Sequence, residues 1–235
     1  DWGGSNDHAL GVKNGSTLEM PAPGGDAVRE LMAAVKSGKI SEADVDARLD
    51  ELLTLVCGTH AAVQNHSRSF DADAHHALAR RAAAESTVLL KNEDDLLPLA
   101  AGTKVAVIGD FAETPRYQGT GSSAVNSIKV DSLLGCWGES GLEQVGFAAG
   151  FNRQGKPDAA KQAEAVALAQ KADVVLLCMG LDEIKESEGL DRSDMCVAAN
   201  QIELLRALQE VNPNIVVVLS AGASVETSWA NHCKA

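Results

Sequence analysis

The segment Lys185–Arg192, with the sequence KESEGLDR, concentrates carboxyl groups where they could do chemistry. It follows the apolar run DVVLLCMG at 173–180, and it belongs to a stretch, 182–194, that contains six acidic residues. A loop carboxyl beside Gly189 can approach a substrate closely. Neighbouring acids could raise its pKa by like-charge repulsion, which would suit a general acid/base.

The same residues also fit an unreactive loop. Its carboxylates could be solvated surface groups, and Arg192 could hold Asp191 in an ordinary ion pair that fixes the loop. Composition alone favours this unreactive loop, and the acid/base interpretation stays open at this point.

The segment lies in a series of buried strands and amphipathic helices. Apolar runs typical of buried strands occur at 104–110, 145–150, 173–180 and 214–222. Helical patterns occur at 26–39, 41–58, 71–90, 158–172 and 196–211. Strands that alternate with helices predict βαβ units and a parallel sheet, so the fold class is α/β.

Local signals predict where the first helices begin and end. Asp26 is a candidate N-cap, and Ser41 with Asp44 has the spacing of a capping box. Gly58 is the predicted end of the helix that starts after Ser41, and residues 59–70 are predicted to be a linker.

Three loops follow strands and are therefore expected at the ligand-binding edge of the sheet: 109–126, 180–194 and 220–229. The first does not match a dinucleotide-binding turn, because Asp110 replaces the glycine pattern and would repel a pyrophosphate. Its later part, Gly119–Ser123, could close over a hydroxylated ligand or be an ordinary surface loop.

Composition excludes some classes of function. The chain has 235 residues, 3% aromatic residues and a net charge of −13, and the charge argues against a nucleic-acid partner. The sequence contains no apolar run that could span a membrane, and no signal peptide is evident in it, an absence that says nothing about the intact protein. Five scattered cysteines, without metal-ligand spacing, favour reduced thiols and a cytoplasmic location: Cys57, Cys136, Cys178, Cys196 and Cys233.

Five segments in order resemble glycoside hydrolase family 3, the β-glucosidase family. They are DWGG at 1–4, TLEMP at 17–21, STVLLKNEDDLLPL at 86–99, KVAVIGDFAETPRYQGTGSS at 104–123 and ESEGLDR at 186–192. The match departs from the family at Thr17, where Asp is usual. Each motif is of limited specificity alone, and their common order makes the resemblance strong.

The resemblance implies an architecture. The family has a (β/α)8 barrel followed by an α/β sandwich domain, with the active site between them. On this mapping residues 1–58 are the C-terminal portion of the barrel, 59–100 are an inter-domain linker with a helix, and 101–235 are a sandwich domain that stops early. We therefore expect this chain to be a fragment.

The resemblance also implies a mechanism. Asp1 matches the family's catalytic nucleophile, and Glu188 matches its acid/base. A retaining glycosidase of this kind needs two carboxyl groups about 5–5.5 Å apart, one ionised and one neutral. Asp1 and Glu188 lie in different predicted domains, so catalysis would depend on domain docking.

Five further residues receive roles from the resemblance. Trp2 matches an aromatic residue that lines the sugar site, and Ser122 matches a serine that contacts the sugar. Glu186, Asp191 and Arg192 are expected to support the loop. No metal and no organic cofactor are implied.

The resulting prediction is a fragment of a retaining exo-β-glycosidase, specifically a β-glucosidase. Its expected partners are a β-glucoside or short oligosaccharide and the missing N-terminal barrel segment of the same protein; a homo-oligomer is also possible. The alternatives are a β-xylosidase or α-L-arabinofuranosidase of the same family, a non-catalytic sugar-binding or structural module, and a nucleotide-binding α/β protein. The fragment alone is expected to be inactive, because a (β/α)8 barrel that lacks most of its strands cannot close.

Overall fold

The computed structural model describes residues 3–65 and 69–235, which form two compact units. The helical unit spans Asp1–Asp71 and the sheet unit spans Ala72–Ala235. The division between them falls inside the predicted linker segment 59–100. The proposed domain boundaries themselves stay predictions.

The helical unit contains α1 (His8–Lys13), α2 (Gly25–Ser37) and α3 (Glu42–Gln64). The capping box before α3 is confirmed. Ser41 Oγ accepts from the Asp44 amide at 3.1 Å, and Asp44 Oδ2 accepts from the Ser41 amide at 2.8 Å. These two bonds satisfy backbone donors that a helix start otherwise leaves unpaired.

Two predicted helix boundaries in this unit are wrong. Asp26 is not the N-cap of α2; Gly24 caps it, and Asp26 lies in the first turn, where its charge favours the helix dipole. Helix α3 does not end at Gly58 but continues to Gln64. A single glycine costs an exposed helix only about 1 kcal/mol, which the following alanines and backbone bonds offset.

The sheet unit begins with a helix and then alternates strands and helices. Its elements are α4 (Ala72–Ser86), β1 (Lys104–Ile108), β2 (Glu143–Ala148), α5 (Ala159–Ala169), β3 (Val174–Gly180), α6 (Ala199–Gln209) and β4 (Ile215–Ser220). Helix α4 ends at Ser86 rather than at residue 90, because the β-branched Thr87 and Val88 favour extended backbone.

The four strands form one parallel sheet in the order β2-β1-β3-β4. The predicted α/β class with a parallel sheet is thereby confirmed. The chain runs from β1 to β2, which lies on one side of β1, and then crosses to β3, which lies on the other side of β1. The carboxyl ends of β1 and β3 therefore flank a topological switch point, where open α/β sheets usually bind ligands.

The core of the sheet unit explains why β1 and β3 are almost entirely apolar. Val105, Ala106, Val107 and Ile108 are fully buried. Helix α5 packs against β1 and β2, so that these strands are covered by apolar side chains. Central parallel strands need such apolar runs, because helices cover their faces. This core holds the strand ends, and with them the three loops at the carboxyl edge.

None of the helices in the described parts of the chain, 3–65 and 69–235, is both long and apolar enough to cross a membrane.

Candidate active site

The acidic loop meets the loop that follows β1 through a direct contact. Glu188 Oε2 accepts hydrogen bonds from both the backbone amide and the hydroxyl of Ser122, each at 2.6 Å. Two residues that sequence reasoning assigned to the site are thus adjacent, although 66 positions separate them in the chain. The contact fixes one oxygen of the Glu188 carboxyl group.

This contact sets the protonation behaviour of Glu188. The hydrogen bonds from Ser122 hold the pKa of the Glu188 carboxyl below its usual value, since they favour the charged form. Partial desolvation acts in the opposite direction and is the smaller effect. The exposed Glu188 side chain is therefore ionised at neutral pH in this arrangement.

Backbone pairing aligns the two loops around this contact. Thr120 and Ser187 form an isolated parallel bridge, and the Glu188 amide donates to the Thr120 carbonyl at 2.8 Å. A Cβ atom at Gly119 would lie 2.7 Å from the Glu186 carbonyl oxygen. The Gly119–Ser123 segment is therefore tied to the acidic loop, and the absent side chain at Gly119 allows the approach.

Gly121 also allows the two loops to lie close together, here beside the Glu188 side chain. Its φ of +147° lies in a region that L-residues rarely adopt, and a Cβ atom there would lie 2.5 Å from the Glu188 Cβ. Gly119 and Gly121 are thus explained by the close approach of this loop to Glu186 and Glu188 of the acidic loop.

The side chain of Glu186 is much less exposed than that of Glu188. It is 9% exposed, pairs with the 8%-exposed Arg116, and accepts from the Gly222 amide at 2.9 Å. The predicted role of Glu186 as a loop support agrees with these contacts. Arg116 was not singled out from the sequence; six acids in one loop are a signal that buried basic partners exist.

Arg153 is a second basic residue that the sequence did not point to. It lies in the loop after β2, with a side chain that is 8% exposed, and its Nε and Nη1 atoms contact Asp110 Oδ2 at 3.0 Å and Glu183 Oε1 at 2.6 Å. Its Nη2 donates to the Thr114 carbonyl, and its guanidinium lies 4.1 Å from the Phe111 ring centre. Arg153 thereby joins the loops after β1, β2 and β3.

The Arg153 cluster occupies the switch point between β1 and β3. Burial raises the pKa of Asp110, and Arg153 partly opposes that shift. An open cavity of about 340 Å³ beside the cluster is also lined by Asn152 and Lys161. Two acidic side chains, Asp110 and Glu183, face this cavity together with the basic Arg153 and Lys161.

Arg192 does not pair with Asp191 among the described residues. Its Nη1 instead donates to the Ser224 carbonyl at 3.1 Å, which ties the acidic loop to the loop after β4. The expected supporting role of Arg192 is thus met by a backbone partner. The described residues contain no group of three or more His, Cys, Asp or Glu side chains that could hold a metal ion.

Asp1 and Trp2, the predicted nucleophile and sugar-stacking residue, lie outside the described residues. Their roles stay predictions, as do the acid/base role of Glu188 and the sugar contact of Ser122.

Comparison with known proteins identifies the class of domain. Residues 87–235 match the glycosyl hydrolase family 3 C-terminal domain, an assignment that agrees with the parallel sheet. The chain belongs to glycosyl hydrolase family 3, so the family resemblance of its motifs is confirmed.

Individual relatives carry names of glycosidases. The chain is 42% identical to an exo-α-(1→6)-L-arabinopyranosidase of Bifidobacterium breve, an alignment that covers 100% of the chain and 32% of that protein. It is 40% identical to thermostable β-glucosidase B of Acetivibrio thermocellus, with 100% and 31% covered. The crystal structure of a Bifidobacterium adolescentis family 3 β-glucosidase superposes with a TM-score of 0.90 at 43% identity, and 100% of this chain and 34% of that chain are covered.

The chain therefore spans about a third of the length of these relatives.

Proposed function

We propose that this chain is part of a retaining exo-β-glycosidase, specifically a β-glucosidase that removes terminal non-reducing β-D-glucosyl residues. The observation that carries the proposal is the position of Glu188, which Ser122 holds at the carboxyl edge of the sheet, together with family membership.

In the proposed first step Asp1 and Glu188 act on the same bond. The Asp1 carboxylate attacks the anomeric carbon, and Glu188 gives its proton to the leaving oxygen as the glycosidic bond breaks. Because Ser122 holds Oε2, the Oε1 atom of Glu188 would face the leaving oxygen. The products are a glycosyl-enzyme and the free aglycone.

In the second step water releases the sugar. Glu188, now a carboxylate, removes a proton from a water molecule that attacks the anomeric carbon, and Asp1 leaves as a carboxylate. The bonds from Ser122 stabilise the charged form of Glu188, which suits this half of the cycle.

The first step requires the opposite protonation state. Substrate binding that excludes water, and the negative charge of Asp1, would both raise the pKa of Glu188 and keep its proton in place. We therefore propose that the low pKa of Glu188 in this arrangement rises when the glycosidic substrate is bound.

A relative favours a second candidate sugar. The 42%-identical relative is named an arabinopyranosidase, whereas the 40%-identical relative is named a β-glucosidase. Aryl β-D-glucosides, aryl α-L-arabinopyranosides and aryl β-D-xylosides, compared by kcat/KM with the full-length enzyme, would distinguish these substrates. A preference for β-glucoside supports the proposal.

The acid/base role is tested with leaving groups of different basicity. In the full-length enzyme, Glu188→Ala should lower turnover of phenyl β-D-glucoside strongly, because this poor leaving group needs protonation. Glycosylation by 2,4-dinitrophenyl β-D-glucoside should be affected far less, and azide should accelerate breakdown of the glycosyl-enzyme. Unchanged turnover of the phenyl glucoside would eliminate Glu188 as the acid.

The 235-residue chain alone provides a further check. We expect it to have negligible activity on aryl glucosides. If this chain binds glucose, and if neither the chain nor the full-length protein hydrolyses aryl glucosides, the non-catalytic sugar-binding module would be supported instead.

A further inference from the structure

Among the acids at 182–194, Glu186 has a largely covered side chain, as does Asp182, whereas Glu188, Asp191 and Asp194 are exposed. The Glu186 side chain is 9% exposed, whereas Glu188, two residues later, is exposed. Burial of a carboxylate is costly unless charged and hydrogen-bonding partners compensate for lost water. The position of Glu186 in this loop therefore needs a reason beyond solubility.

The partners of Glu186 come from two other loops. The Arg116 guanidinium, in the loop after β1, pairs with Glu186 Oε2. The Gly222 amide, in the loop after β4, lies 2.9 Å from Oε1 and 3.1 Å from Oε2. One carboxylate thus joins the loops that follow β1, β3 and β4.

The pair lies at one end of a series of contacts that ends at the acid/base candidate. Arg116 precedes Ser122 by six residues, and Glu186 precedes Glu188 by two. Between them lies the parallel bridge of Thr120 with Ser187. A shift of Arg116 relative to Glu186 would therefore be passed to the Ser122–Glu188 contact.

We propose that Arg116 and Glu186 are positioning residues that set the place of the Glu188 carboxyl group for proton transfer, an inference that rests on the proposed glycosidase function. Arg116 Nη2 contacts Glu186 Oε2 while the Gly222 amide binds the same carboxylate, so the orientation of the carboxylate is set from two loops. An apolar pair could stabilise the same loops, but it would not define their alignment by directed hydrogen bonds.

The inference predicts a particular kinetic signature. Displacement of a catalytic group by about 1 Å can lower a rate by about 10²-fold. If only the proton donor is displaced, the loss falls on substrates whose leaving group needs the proton. A general loss of folded enzyme would lower turnover of all substrates by the same factor.

The experiment uses the full-length enzyme with Glu186→Gln, which keeps the size of the side chain and an acceptor for Gly222 but removes the charge. Turnover of phenyl β-D-glucoside should fall by about 10²-fold, and glycosylation by 2,4-dinitrophenyl β-D-glucoside by less than about threefold. Arg116→Lys, which keeps the charge and loses the planar fork, should show the same pattern with a smaller loss.

Arg80→Gln is the matched control. Arg80 pairs with Asp131 and Glu139 in the same unit, but its side chain is 46% exposed and the pair lies outside the three loops. Turnover of both substrates should be unchanged in this variant. Circular dichroism of all variants would establish that they are folded. If Glu186→Gln does not fold, Arg116→Lys supplies the test.

The outcomes separate this inference from the function on which it rests. Equal losses on both substrates, or no loss on either, in folded Glu186→Gln and Arg116→Lys would overturn the positioning role. If Glu188→Ala itself shows no dependence on the leaving group, the proposed function fails and the positioning role fails with it. If Glu188→Ala shows that dependence and the two positioning variants do not, only the further inference is lost.

Discussion

The helical unit and the sheet unit differ in the interactions that stabilise each of them internally. The buried cluster of the helical unit consists of Ala9, Ala34 and Ile40, and the 23-residue helix α3 contains no buried residue. In the sheet unit, all residues of β1 after Lys104 are buried, and β3 is nearly as fully enclosed.

The difference teaches which structural signals act locally. Helix α3 forms from its capping box, its helix-favouring residues and its internal hydrogen bonds, all within 23 residues. Strand β3 obtains its hydrogen bonds from β1 and β4, which are distant in sequence. The helical unit should therefore respond weakly to truncation of apolar side chains, and the sheet unit strongly.

The largest expected difference is in thiol reactivity. Burial raises the pKa of Cys178, in β3, to about 12, and its side chain is 4% exposed. At pH 8 a thiol with this pKa is ionised in about one molecule in 10⁴. Iodoacetamide should therefore alkylate Cys178 at least about 10³-fold more slowly than the exposed Cys57 of α3.

Mass spectrometry of the digested chain would measure both rates. In concentrated urea the two cysteines should react at similar rates, which serves as the control. Equal rates in native buffer would mean that the sheet opens readily, and the contrast between the units would be lost.

The next largest effect is expected from truncation of the core. Leu177 is fully buried and pairs in register with Ile108 and Val217. Leu177→Ala should lower the free energy of unfolding of the sheet unit by about 2–5 kcal/mol, measured by urea denaturation. Leu53→Ala in α3, where the side chain is 48% exposed, should change stability by less than about 0.5 kcal/mol. Comparable losses of unfolding free energy in the two variants would contradict the expectation that the sheet unit depends more strongly on its apolar side chains.

A smaller effect is expected at the start of α3. Ser41→Ala removes the hydroxyl that accepts from the Asp44 amide, and it should destabilise the helix by about 1 kcal/mol. Faster hydrogen exchange of the Asp44 amide would report the loss. Thr54→Ala is the control, because the Thr54 hydroxyl donates to the Asp50 carbonyl within the helix and caps no helix start. Unaltered exchange in Ser41→Ala would mean that the capping box contributes nothing to this helix.

The smallest effect is expected on the titration of Glu188. Ser122→Ala removes one of the two hydrogen bonds that lower the pKa of Glu188, so the pKa should rise towards its ordinary value. A carboxyl group with a lowered pKa stabilises the folded state above its unfolded-state pKa, and this contribution is lost as the pH falls through the folded-state pKa. The stability difference between wild type and variant should thus be present at neutral pH and vanish in acid.

Carbon-detected NMR of the 235-residue chain, labelled at glutamate side chains, would follow this titration. Ser123→Ala serves as the neighbouring control. A Glu188 pKa that is the same in Ser122→Ala and wild type would show that the Ser122 hydroxyl does not hold the carboxylate in solution.

Sequence reasoning predicted the main elements because their signals are short in range. The apolar runs of β1 and β3 and the helical period of α5 and α6 predicted a parallel α/β fold. The errors occurred at boundaries such as Gly58, where a single residue has a small preference that its neighbours outweigh.

The candidate site was predicted only in part. Glu188 and Ser122 were reached through the family resemblance of their loops, and the structure brings them into contact. Arg116 and Arg153 were missed, because nothing in a local pattern says which distant carboxylate an arginine will meet.

The sequence by itself determined the elements of this protein, their order and the family to which it belongs, since propensity, periodicity and motifs act over short distances. Only the tertiary structure decided which acid pairs with Arg116 and which accepts hydrogen bonds from Ser122. The physical reason is that burial and pairing depend on the approach of loops from different strands, so Glu186 and Glu188, two residues apart and chemically identical, acquire different surroundings.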